Sequence, residues 1–558
     1  MYKIFIYKYI SLIIILLNFT CKKFDLIESS LLEEAVVNGN LAQESFTRSL
    51  NFTNAWLGLR DSESELIPSN INNKINLWEP ANSGADNYPF MVLTAYLLDK
   101  DLYHGVLLEM LINEKKLTSR IGSLPDVYSF TKNTFENENL NLGNIIFGAS
   151  EYIKDGLMPL NEFIGASPWQ DRMIEILDDL YIHINDFDSL DEYFIKSSQV
   201  EEINGEMLQT LSRVYWMTGD QKYLDWAIKI ADYYLLEVDF SNVEYLKLRD
   251  HGCEIVGGLS ELYMTLHLLS LEKKYEYQPA LYRLLDKILT FGRNQDGFFY
   301  NSINLKANQV IDNRIADTWG YTLNAFYTVW MTDQKSEYLE AVLKPFQSLN
   351  NSYRNFEWEP KKQLGPLGSQ DGYADAIESG INIYNRMQDS KLKTWIDSEI
   401  QVLFGMQKNS GIIEGWHGDG NFARTALMYG LWKTQGAHLE PWQPSVKIGA
   451  ISNEDKTYFV ITAQDDWEGQ LLFDQKRHKT ILNLPEDYPR INQFPEWFTL
   501  DQDATYSIQS NKEQLIGKYE GKNLKKGFAL SLSSKEQCVI LVKKNPESKM
   551  KRGINKNK

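Results

Sequence analysis

Acidic side chains stand at one recurring kind of position in this chain, directly ahead of apolar helical patterns. The stretch LRDHGCEIVGGLSELY at 248–263 shows the arrangement, because Asp250, His251 and Glu254 precede an apolar stripe. Carboxyl groups that meet in one place can work as acid and base, since burial and mutual repulsion separate their pKa values. The carboxylates that share this position are Asp86, Asp250, Glu254, Asp317, Asp371, Asp375 and Glu378.

Asp317 is the first candidate for a catalytic carboxylate. It lies in NRIADTWGY, where Trp319 offers a flat face and Arg314 a guanidinium that can bind a carboxylate through two hydrogen bonds. Tyr321, in the same segment, is a further candidate for contact with substrate. Together these residues predict a subsite for a uronic acid. The alternative is that Asp317 is the N-cap of the helix that follows.

Asp375 is the second candidate. Asp371, Asp375 and Glu378 are spaced by four and three residues, so a continuous helix places all three on one face. Like charges held together raise at least one pKa, which keeps a carboxylic acid protonated near neutral pH. The alternative is a turn at Gly372 that separates Asp371, and Asp375 stays a candidate in either geometry.

Two glycine-containing loops are predicted to bind substrate. They read EGWHGDGNFAR at 414–424 and NLWEPANSGADNY at 76–88. Glycines let the backbone approach a ligand closely, although they also serve plain tight turns. The candidate binding residues in the two loops are Trp416, His417, Arg424, Trp78 and Asp86.

His251 has two interpretations. The chain contains only seven histidines, and His251 lies among the predicted catalytic groups. It could shuttle a proton, or act as the base that abstracts the C5 proton of a uronate in a lyase. Alternatively, it is a structural histidine that donates to a backbone carbonyl.

The region from about 76 to 436 repeats one format, a polar loop followed by two amphipathic helices. The clearest copy is NGEMLQTLSRVYWMTGDQKYLDWAIKIADYYL at 204–235, and a copy missing from the series is expected around Trp169–Ile182. About six such pairs close an (α/α)6 toroid, whereas an open helical-repeat scaffold is the alternative. The polar residues always precede the first helix of a pair, which favours closure because they then meet at one rim.

The residue pattern changes after Pro441. From there, apolar and polar residues alternate between turn signals, as in antiparallel strands. The predicted fold class is therefore mostly α, an (α/α)6 toroid of helical hairpins with a C-terminal antiparallel β domain. The predicted domains are a signal peptide at 1–20, a linker and N-terminal segment at 21–44, the catalytic barrel at 45–440, a β-sandwich-like domain at 441–545 and a disordered basic tail at 546–558.

The N-terminus predicts export. Lys3 and Lys8 precede an apolar run that ends at Leu17, which is short for a membrane span and typical of a signal peptide. Cys21 follows as in a bacterial lipoprotein, where the cysteine carries lipid, and a retained membrane anchor is the alternative. Of the three cysteines, Cys253 and Cys538 would then remain as buried free thiols or as a pair.

Composition limits the classes of molecule that the protein is expected to bind. The formal net charge is −18, which disfavours nucleic acid and an anionic bilayer surface. Aromatic residues make up 13% of the chain, and their flat faces suit sugar rings. No zinc pattern is present, and neither a cofactor nor a metal ion is predicted, although so many carboxylates leave room for a structural calcium.

These features resemble the (α/α)6-barrel carbohydrate-active enzymes of polysaccharide-degrading bacteria. The segments NGEMLQTLSRVYWMTGD, RIADTWGY and YADAIESGINIYNR are similar to the unsaturated glucuronyl hydrolases and bacterial glucuronidases. The resemblance covers about residues 45–440. It implies a glycoside hydrolase that removes glucuronic or unsaturated uronic acid residues from oligosaccharides or polysaccharides.

The sequence therefore predicts an exported glycosidase, in the periplasm or on the outer membrane, with Asp317 and Asp375 as acid and base. Asp250 and Glu254 are the next candidates, and the histidines, arginines and tryptophans bind substrate. One alternative is a polysaccharide lyase that works by β-elimination, with His251 or Tyr321 as base. The other is a glycan-binding lipoprotein without catalysis.

Overall fold

The structure is a computed structural model that describes residues 26–185, 200–349 and 370–546. It divides into two compact units. The helical unit comprises the described residues of 46–428 together with 477–495, and the sheet unit comprises those of 26–45, 429–476 and 496–546. The predicted signal peptide, Cys21 and the tail from 547 lie outside the described residues. Among the described helices, none has the length and the apolar run that a membrane crossing needs.

Helices dominate the described part of the chain. The α-helices are α1 Leu26–Leu57, α2 Tyr88–Leu98, α3 Lys100–His104, α4 Val106–Thr118, α5 Leu142–Glu151, α6 Met158–Ile164, α7 Pro168–Asn185, α8 Val200–Thr218, α9 Gln221–Asp232, α10 Glu254–Leu268, α11 Lys273–Phe291, α12 Trp319–Asp333, α13 Ser336–Leu343, α14 Gln370–Met387, α15 Ser390–Phe404, α16 Gly418–Lys433, α17 Arg477–Thr480 and α18 Gly521–Leu524. π-helical turns occupy Pro80–Asn87, Tyr152–Leu157 and Tyr233–Glu237, and 3-10 turns occupy Phe240–Asn242, Asp250–Cys253, Lys344–Gln347 and Glu513–Leu515.

Short strands of the helical unit connect its helices. They are β1 Leu77–Trp78, β2 Ser119–Ile121, β3 Leu124–Pro125, β4 Tyr128–Ser129, β5 Thr134–Phe135, β6 Leu246–Lys247, β7 Tyr300–Asn304 and β8 Gln309–Ile315. The strands of the sheet unit are β9 His438–Glu440, β10 Val446–Asn453, β11 Lys456–Ala463, β12 Trp467–Leu472, β13 Asp474–Gln475, β14 Thr499–Leu500, β15 Thr505–Ser510, β16 Gly517–Glu520, β17 Phe528–Leu532 and β18 Gln537–Lys544.

The helical unit is a toroid of helical hairpins. The hairpins α2/α4, α5–α6/α7, α8/α9, α10/α11, α12/α13 and α14/α15 follow one another along the chain, each with its first helix on the inside. Helix α2 shows why these helices lie inside, because YPFMVLTAYLL is apolar on all sides and only Tyr96 is not fully buried. The outer helices instead carry one apolar face, as in α9, where Leu224, Ala227 and Ala231 are buried.

Each inner segment contacts the next, and the last contacts the first. From α2 to α10, the successive contacts are a close approach of Gly156 to Ala85, the Arg213–Glu162 ion pair and a close approach of Gly258 to Gly205. From α10 to α16, they are the hydrogen bonds Tyr263–Asp333, Tyr321–Asp375 and Thr425–Ala374. A close approach of Gly420 to Asp86 then joins α16 to the turn ahead of α2. Helix α16 thus lies between α14 and α2, and Trp56 of α1 packs on it by donating to Asp419 at 3.1 Å. This closed arrangement confirms the predicted toroid.

The segment that was expected to supply the missing hairpin supplies its outer helix alone. The segment Trp169–Ile182 lies in the outer helix α7, where Arg172 pairs with Glu114 of α4. The inner member of that hairpin is α5–α6, which the sequence analysis did not identify. Its apolar pattern is broken by the π-helical turn Tyr152–Leu157, which shifts the residues that follow to a different face.

The sheet unit contains two antiparallel sheets whose facing sides form one core. The larger sheet has the order β10-β11-β18-β15-β16 and the smaller one β17-β12-β9. Phe459 of β11 packs in this core with Leu471 of β12, whereas Tyr458 and Val460 face the other side and pack against Leu32 of α1. This alternation explains why β11 reads as a continuous apolar run, and it confirms the predicted antiparallel β domain.

The division between the units differs from the single boundary predicted at 441. Residues 477–495 belong to the helical unit, in which Arg490 pairs with Glu162 at 3.0 Å. Residues 26–45 and 429–440 belong to the sheet unit. Cys253 and Cys538 are buried free thiols.

Candidate active site

The inner helices of the toroid surround a cavity of about 290 Å³ within the helical unit. Its walls are polar and acidic. The lining residues are Ala81, Asn82, Asp86, Phe147, Glu151, Lys154, Asp155, Glu202, Asp250, His251, Glu254, Thr318, Tyr321, Asp371, Asp375, His417, Asn421, Arg424, Ile491 and Asn492.

The lining side chains come from the same end of successive inner segments. Asp86 lies in the π-helical turn ahead of α2, and Asp155 lies in the π-helical turn between α5 and α6. Asp250 and His251 lie in the 3-10 turn that leads into α10. Asp375 lies in the first turns of α14. The loops ahead of the inner helices therefore meet around one cavity, as their polar composition predicts.

The structure brings together most of the predicted site residues and separates five of them. Those that line the cavity are Asp86, Asp250, His251, Glu254, Tyr321, Asp375, His417 and Arg424, with Asp371 beside them. The predicted site residues that do not line it are Asp317, Arg314, Trp319, Trp78 and Trp416. Of the other candidate carboxylates, Glu378 is buried outside the cavity.

Asp317 is buried beside the cavity instead of lining it. Its carboxylate accepts hydrogen bonds from the backbone amides of Thr318 at 3.0 Å and Asp250 at 3.4 Å. Thr318, and not Asp317, is the N-cap residue of α12. The N-cap interpretation of Asp317 was therefore wrong, and its side chain turns toward the Asp250 loop and helps to position it. The catalytic role of Asp317 stays a prediction.

The predicted uronate subsite at Arg314 and Trp319 does not form. Arg314 lies on β8 and forms an ion pair with its neighbour Asp312 at 2.5 Å. Trp319 is completely buried, with the rings of Phe298 and Trp395 at centroid distances of 5.4 and 5.9 Å. Since Trp319 begins an inner helix, its side chain fills the space between helix layers instead of facing a ligand.

The two other tryptophans also serve the scaffold. Trp78 is buried and contacts the edge of Tyr152 at a centroid distance of 6.2 Å. The indole of Trp416 donates to Glu414 at 2.6 Å and packs on the ring of His417. Trp416 thus supports His417, which does line the cavity.

Asp375 is held by an arginine and a tyrosine. Arg424 donates to Asp375 Oδ1 at 2.7 Å, and the Tyr321 hydroxyl donates to the same oxygen at 3.2 Å. Burial, aided by the negative charge of Asp371, raises the pKa of Asp375 to about 6 although Arg424 opposes the shift. Arg424 also donates to Asn492 at 2.7 Å, so the segment 477–495 helps to fix this wall.

Asp250 differs from Asp375 in its surroundings. Its side chain is about half exposed, at 47%, and pairs with Lys247 at 2.8 Å. Its backbone φ of 54° lies in the left-handed region, which is uncommon for a residue with a side chain. Burial alone would raise its pKa, but the charges of His251 and Lys247 hold the pKa well below its usual range.

His251 is surrounded by carboxylates. Its Nδ1 lies 3.0 Å from Glu254, 3.7 Å from Asp155, 3.8 Å from Glu206 and 4.0 Å from Glu151. Burial would lower the pKa of the imidazole, but the negative charges of Glu151 and Asp250 and the hydrogen bond to Glu254 raise it well above its usual value. The expectation that His251 donates to a backbone carbonyl has no counterpart among its described contacts.

Several cavity residues were missed in the sequence. Glu151, Lys154 and Asp155 lie in EYIKDGL, where three charged residues in five positions interrupt an otherwise buried helix. That interruption is a signal that could have located them. Asn492 has no such signal, because it reaches the cavity only through the long-range placement of 477–495.

No family model matches the chain, and no curated protein matches it. Among solved structures, it is similar to an inactive variant of alpha-1,6-mannanase from Salegentibacter sp. HEL1_6 in complex with alpha-1,6-mannotetrose, with 10% identity and a TM-score of 0.40 over 69% of this chain and 98% of that one. It is similar to a glycoside hydrolase family 76 mannosidase from Bacteroides thetaiotaomicron, with 12% identity and a TM-score of 0.39 over 70% and 98%. It is also similar to the unsaturated glucuronyl hydrolase of Bacillus sp. GL1, with 11% identity and a TM-score of 0.36 over 53% and 86%. Likenesses this distant carry no argument about activity.

Proposed function

We propose that the protein is a glycoside hydrolase whose reaction takes place in the cavity of the helical unit. The observation that carries the proposal is a pair of carboxyl groups in contrasting surroundings that line the same cavity. Asp375 is half-buried and its pKa is raised to about 6, whereas Asp250 is exposed and paired with Lys247. Glycoside cleavage needs such a pair, one protonated and one ionised.

In this proposal Asp375 is the general acid. It protonates the glycosidic oxygen of the leaving group, and Tyr321 and Arg424 fix the orientation of its carboxyl group. Asp250 is the carboxylate that activates water or attacks the sugar. The side-chain amides of Asn82 and Asn421, which also line the cavity, are suited to bind sugar hydroxyls.

For the substrate we propose a glucuronic or unsaturated uronic acid residue at the end of a glycan. With Arg314 outside the cavity, the cationic side chains available to a uronate are Arg424, Lys154 and His251. Arg424 and Lys154 each have a carboxylate partner already, so the sugar carboxylate would have to compete with these ion pairs. A matched panel of uronides and neutral hexosides therefore tests this part separately.

Export and lipidation of Cys21 remain part of the proposal on the strength of the N-terminal sequence alone. Metabolic labelling with a radioactive fatty acid tests it, with Cys21→Ser as the control. Label that persists in the variant contradicts the lipidation.

The hydrolase proposal is tested with Asp375→Asn and Asp250→Asn on the glycan panel. We expect kcat to fall by at least about a hundredfold in each variant, the scale of one acid or base in catalysis. Asp455→Asn is the matched control, because Asp455 is an exposed aspartate of the sheet unit that also pairs with a lysine. Near-normal turnover in both cavity variants would show that the assignment is wrong.

Ultraviolet absorbance of the conjugated double bond separates the alternatives in the same assay. An unsaturated-uronide hydrolase makes the absorbance disappear, and an ordinary glycosidase releases sugar without changing it. A polysaccharide lyase makes it appear, which would replace our proposal by β-elimination with His251 or Tyr321 as base. Binding without release of sugar would identify a glycan-binding protein.

A further inference from the structure

Four buried carboxylates and one imidazole nitrogen face one another beside the cavity. Glu151 and Asp155 come from the segment α5–α6, Glu206 from α8, and Glu254 from α10, and all are at most 6% exposed. They surround Nδ1 of His251 at distances between 3.0 and 4.0 Å. We call these five residues the acidic cluster.

The spacing within the acidic cluster is that of groups that share one ion. One ligand atom each from Asp155, Glu206, His251 and Glu254 can be chosen so that all lie within 4.8 Å of one another, and the same holds for Glu151, Glu202, Glu206 and His251. Ligands bound at about 2.1 Å to one octahedral ion lie about 3 Å apart when adjacent and about 4.2 Å apart when opposite. The observed distances to Nδ1, from 3.0 to 4.0 Å, fall within this interval.

The hydrogen bonds of the acidic cluster leave several oxygens without a donor. Neither oxygen of Glu206 accepts a hydrogen bond from an N–H or a hydroxyl group of the described residues, although Glu206 is completely buried, and its neighbour within hydrogen-bonding reach is another carboxyl group, that of Glu151. Oε1 of Glu151 and Oδ2 of Asp155 also accept none from such groups. His251 cannot supply them all, because Nδ1 carries at most one proton and lies closest to Glu254.

The negative charge of the acidic cluster is only partly compensated. Lys154 is its one buried ammonium, and it pairs with Asp155 at 2.8 Å and with Glu254. The four carboxylates thus outnumber the two groups beside them that can carry a positive charge, this ammonium and the imidazole of His251. A buried charge without a partner is costly, and a divalent cation that accepts several carboxylate oxygens satisfies charge and lone pairs together.

We propose that the acidic cluster is a binding site for one divalent metal ion, held by carboxylate oxygens of Glu151, Asp155, Glu206 and Glu254 and by Nδ1 of His251. Carboxylate oxygens suit hard divalent ions, and a single imidazole adds preference for a transition metal, so an ion of the Mn²⁺ type fits the set. Since Glu151, Asp155, His251 and Glu254 also line the cavity, the ion is accessible to a ligand there. The site stands independently of the proposed hydrolase activity.

The test uses Mn²⁺ alone and the full chain, stripped with a chelator and dialysed. Electron paramagnetic resonance counts free Mn²⁺ during a titration, and we expect one bound ion per chain. Pulsed measurements should show a nitrogen of His251 coupled to the bound ion. This signal should disappear in the variant His251→Asn. Failure of the unaltered chain to bind Mn²⁺, or a bound ion without a coupled nitrogen, overturns the proposal.

The variant Glu206→Gln carries the decisive comparison. It keeps the shape of the side chain but removes the charge, and we expect the affinity for Mn²⁺ to fall by about tenfold or more. Glu378→Gln is the matched control, because Glu378 is an equally buried glutamate on another inner helix and lies outside the acidic cluster. Equal affinity in the two variants overturns the proposal.

Circular dichroism of each variant checks that it is folded, and Glu151→Gln replaces Glu206→Gln if that chain does not fold. No glycan enters any of these measurements. A chain that binds Mn²⁺ but does not cleave glycosides thus contradicts the proposed function alone, and a chain that cleaves without binding Mn²⁺ contradicts the metal site alone.

Discussion

At the scale of single residues, burial of acids is the dominant feature of the cavity wall. Asp375 and Glu378 lie on the same helix within one turn, and burial raises the pKa of both, to about 6 and about 7. Arg424 lies near both carboxyl groups but compensates them only in part. Of the two, Asp375 lines the cavity, and a carboxyl group that stays protonated near neutral pH is the form that a general acid needs.

Glu378 gives a prediction about stability against pH. Its folded pKa of about 7 lies above the usual value of 4.5, so its contribution is complete below about 4.5 and is lost as the pH rises through about 7. We expect Glu378→Gln to remove this loss, which amounts to about 3 kcal/mol. Urea unfolding at pH 5 and pH 8 measures the difference.

The control for this prediction is Glu513→Gln, an exposed glutamate of the sheet unit. Its unfolding free energy should depend on pH as that of the unaltered chain does. If Glu378→Gln also keeps the full dependence, then Glu378 is ionised in the folded state at pH 5 and the prediction fails.

At the scale of elements, glycines set how closely the inner helices approach. Gly257 and Gly258 are neighbours on α10. A Cβ atom on Gly258 would lie 2.6 Å from the Gly205 carbonyl oxygen on α8. A Cβ atom on Gly257 would meet nothing nearer than 3.8 Å. Only one of the two glycines is therefore required by the contact.

The pair offers a matched test. We expect Gly258→Ala to lower the free energy of unfolding by about 1–3 kcal/mol, because backbone cannot move away as a side chain can. Gly257→Ala should be neutral or stabilising by up to about 1 kcal/mol, since alanine favours helix. Thermal unfolding of both variants measures the difference in stability. Equal destabilisation would mean that α8 and α10 do not approach closely at Gly258.

At the scale of the whole molecule, each compact unit combines segments distant in sequence. The helical unit includes 477–495, and Arg490 of that segment pairs with Glu162 on α6 and with Asp487. Arg213 of α8 binds Glu162 as well, at 3.2 Å. The network fixes Ile491 and Asn492, which line the cavity.

Arg490 is the residue through which this placement can be tested. Breaking a buried ion pair by removing one partner costs about 3–5 kcal/mol, so Arg490→Met should lower the unfolding midpoint of the helical unit. The control Arg60→Met disrupts the largely exposed pair with Glu65 in the same unit and should cost less than about 1 kcal/mol. Chemical denaturation followed by tryptophan fluorescence compares them. An equal small effect would show that the Arg490 network adds little to the unit.

The sequence by itself determined the helical hairpins, the antiparallel strands after residue 441 and the acidic loops ahead of the inner helices. These follow from local periodicity, which fixes the buried face of each helix and therefore the end at which polar residues gather. The sequence identified Asp250, His251, Glu254 and Asp375 as candidates because they stand at the polar ends of inner helices. The repetition alone left an open helical-repeat scaffold possible, and the contacts of α16 with α14 and with the turn ahead of α2 decided for a closed toroid.

Only the tertiary structure decided which of the candidate groups share the cavity. Asp317 and Asp375 occupy similar positions in the sequence, yet the first turns toward the Asp250 backbone and the second lines the cavity. Arg314 pairs with its neighbour on a strand, and Asn492 arrives from a segment outside the repeats. Glu206 directly precedes the apolar stripe of α8, which begins at Met207. Its meeting with His251 depends on helix packing at long range, because the period of a helix says which face is buried but not what lies opposite.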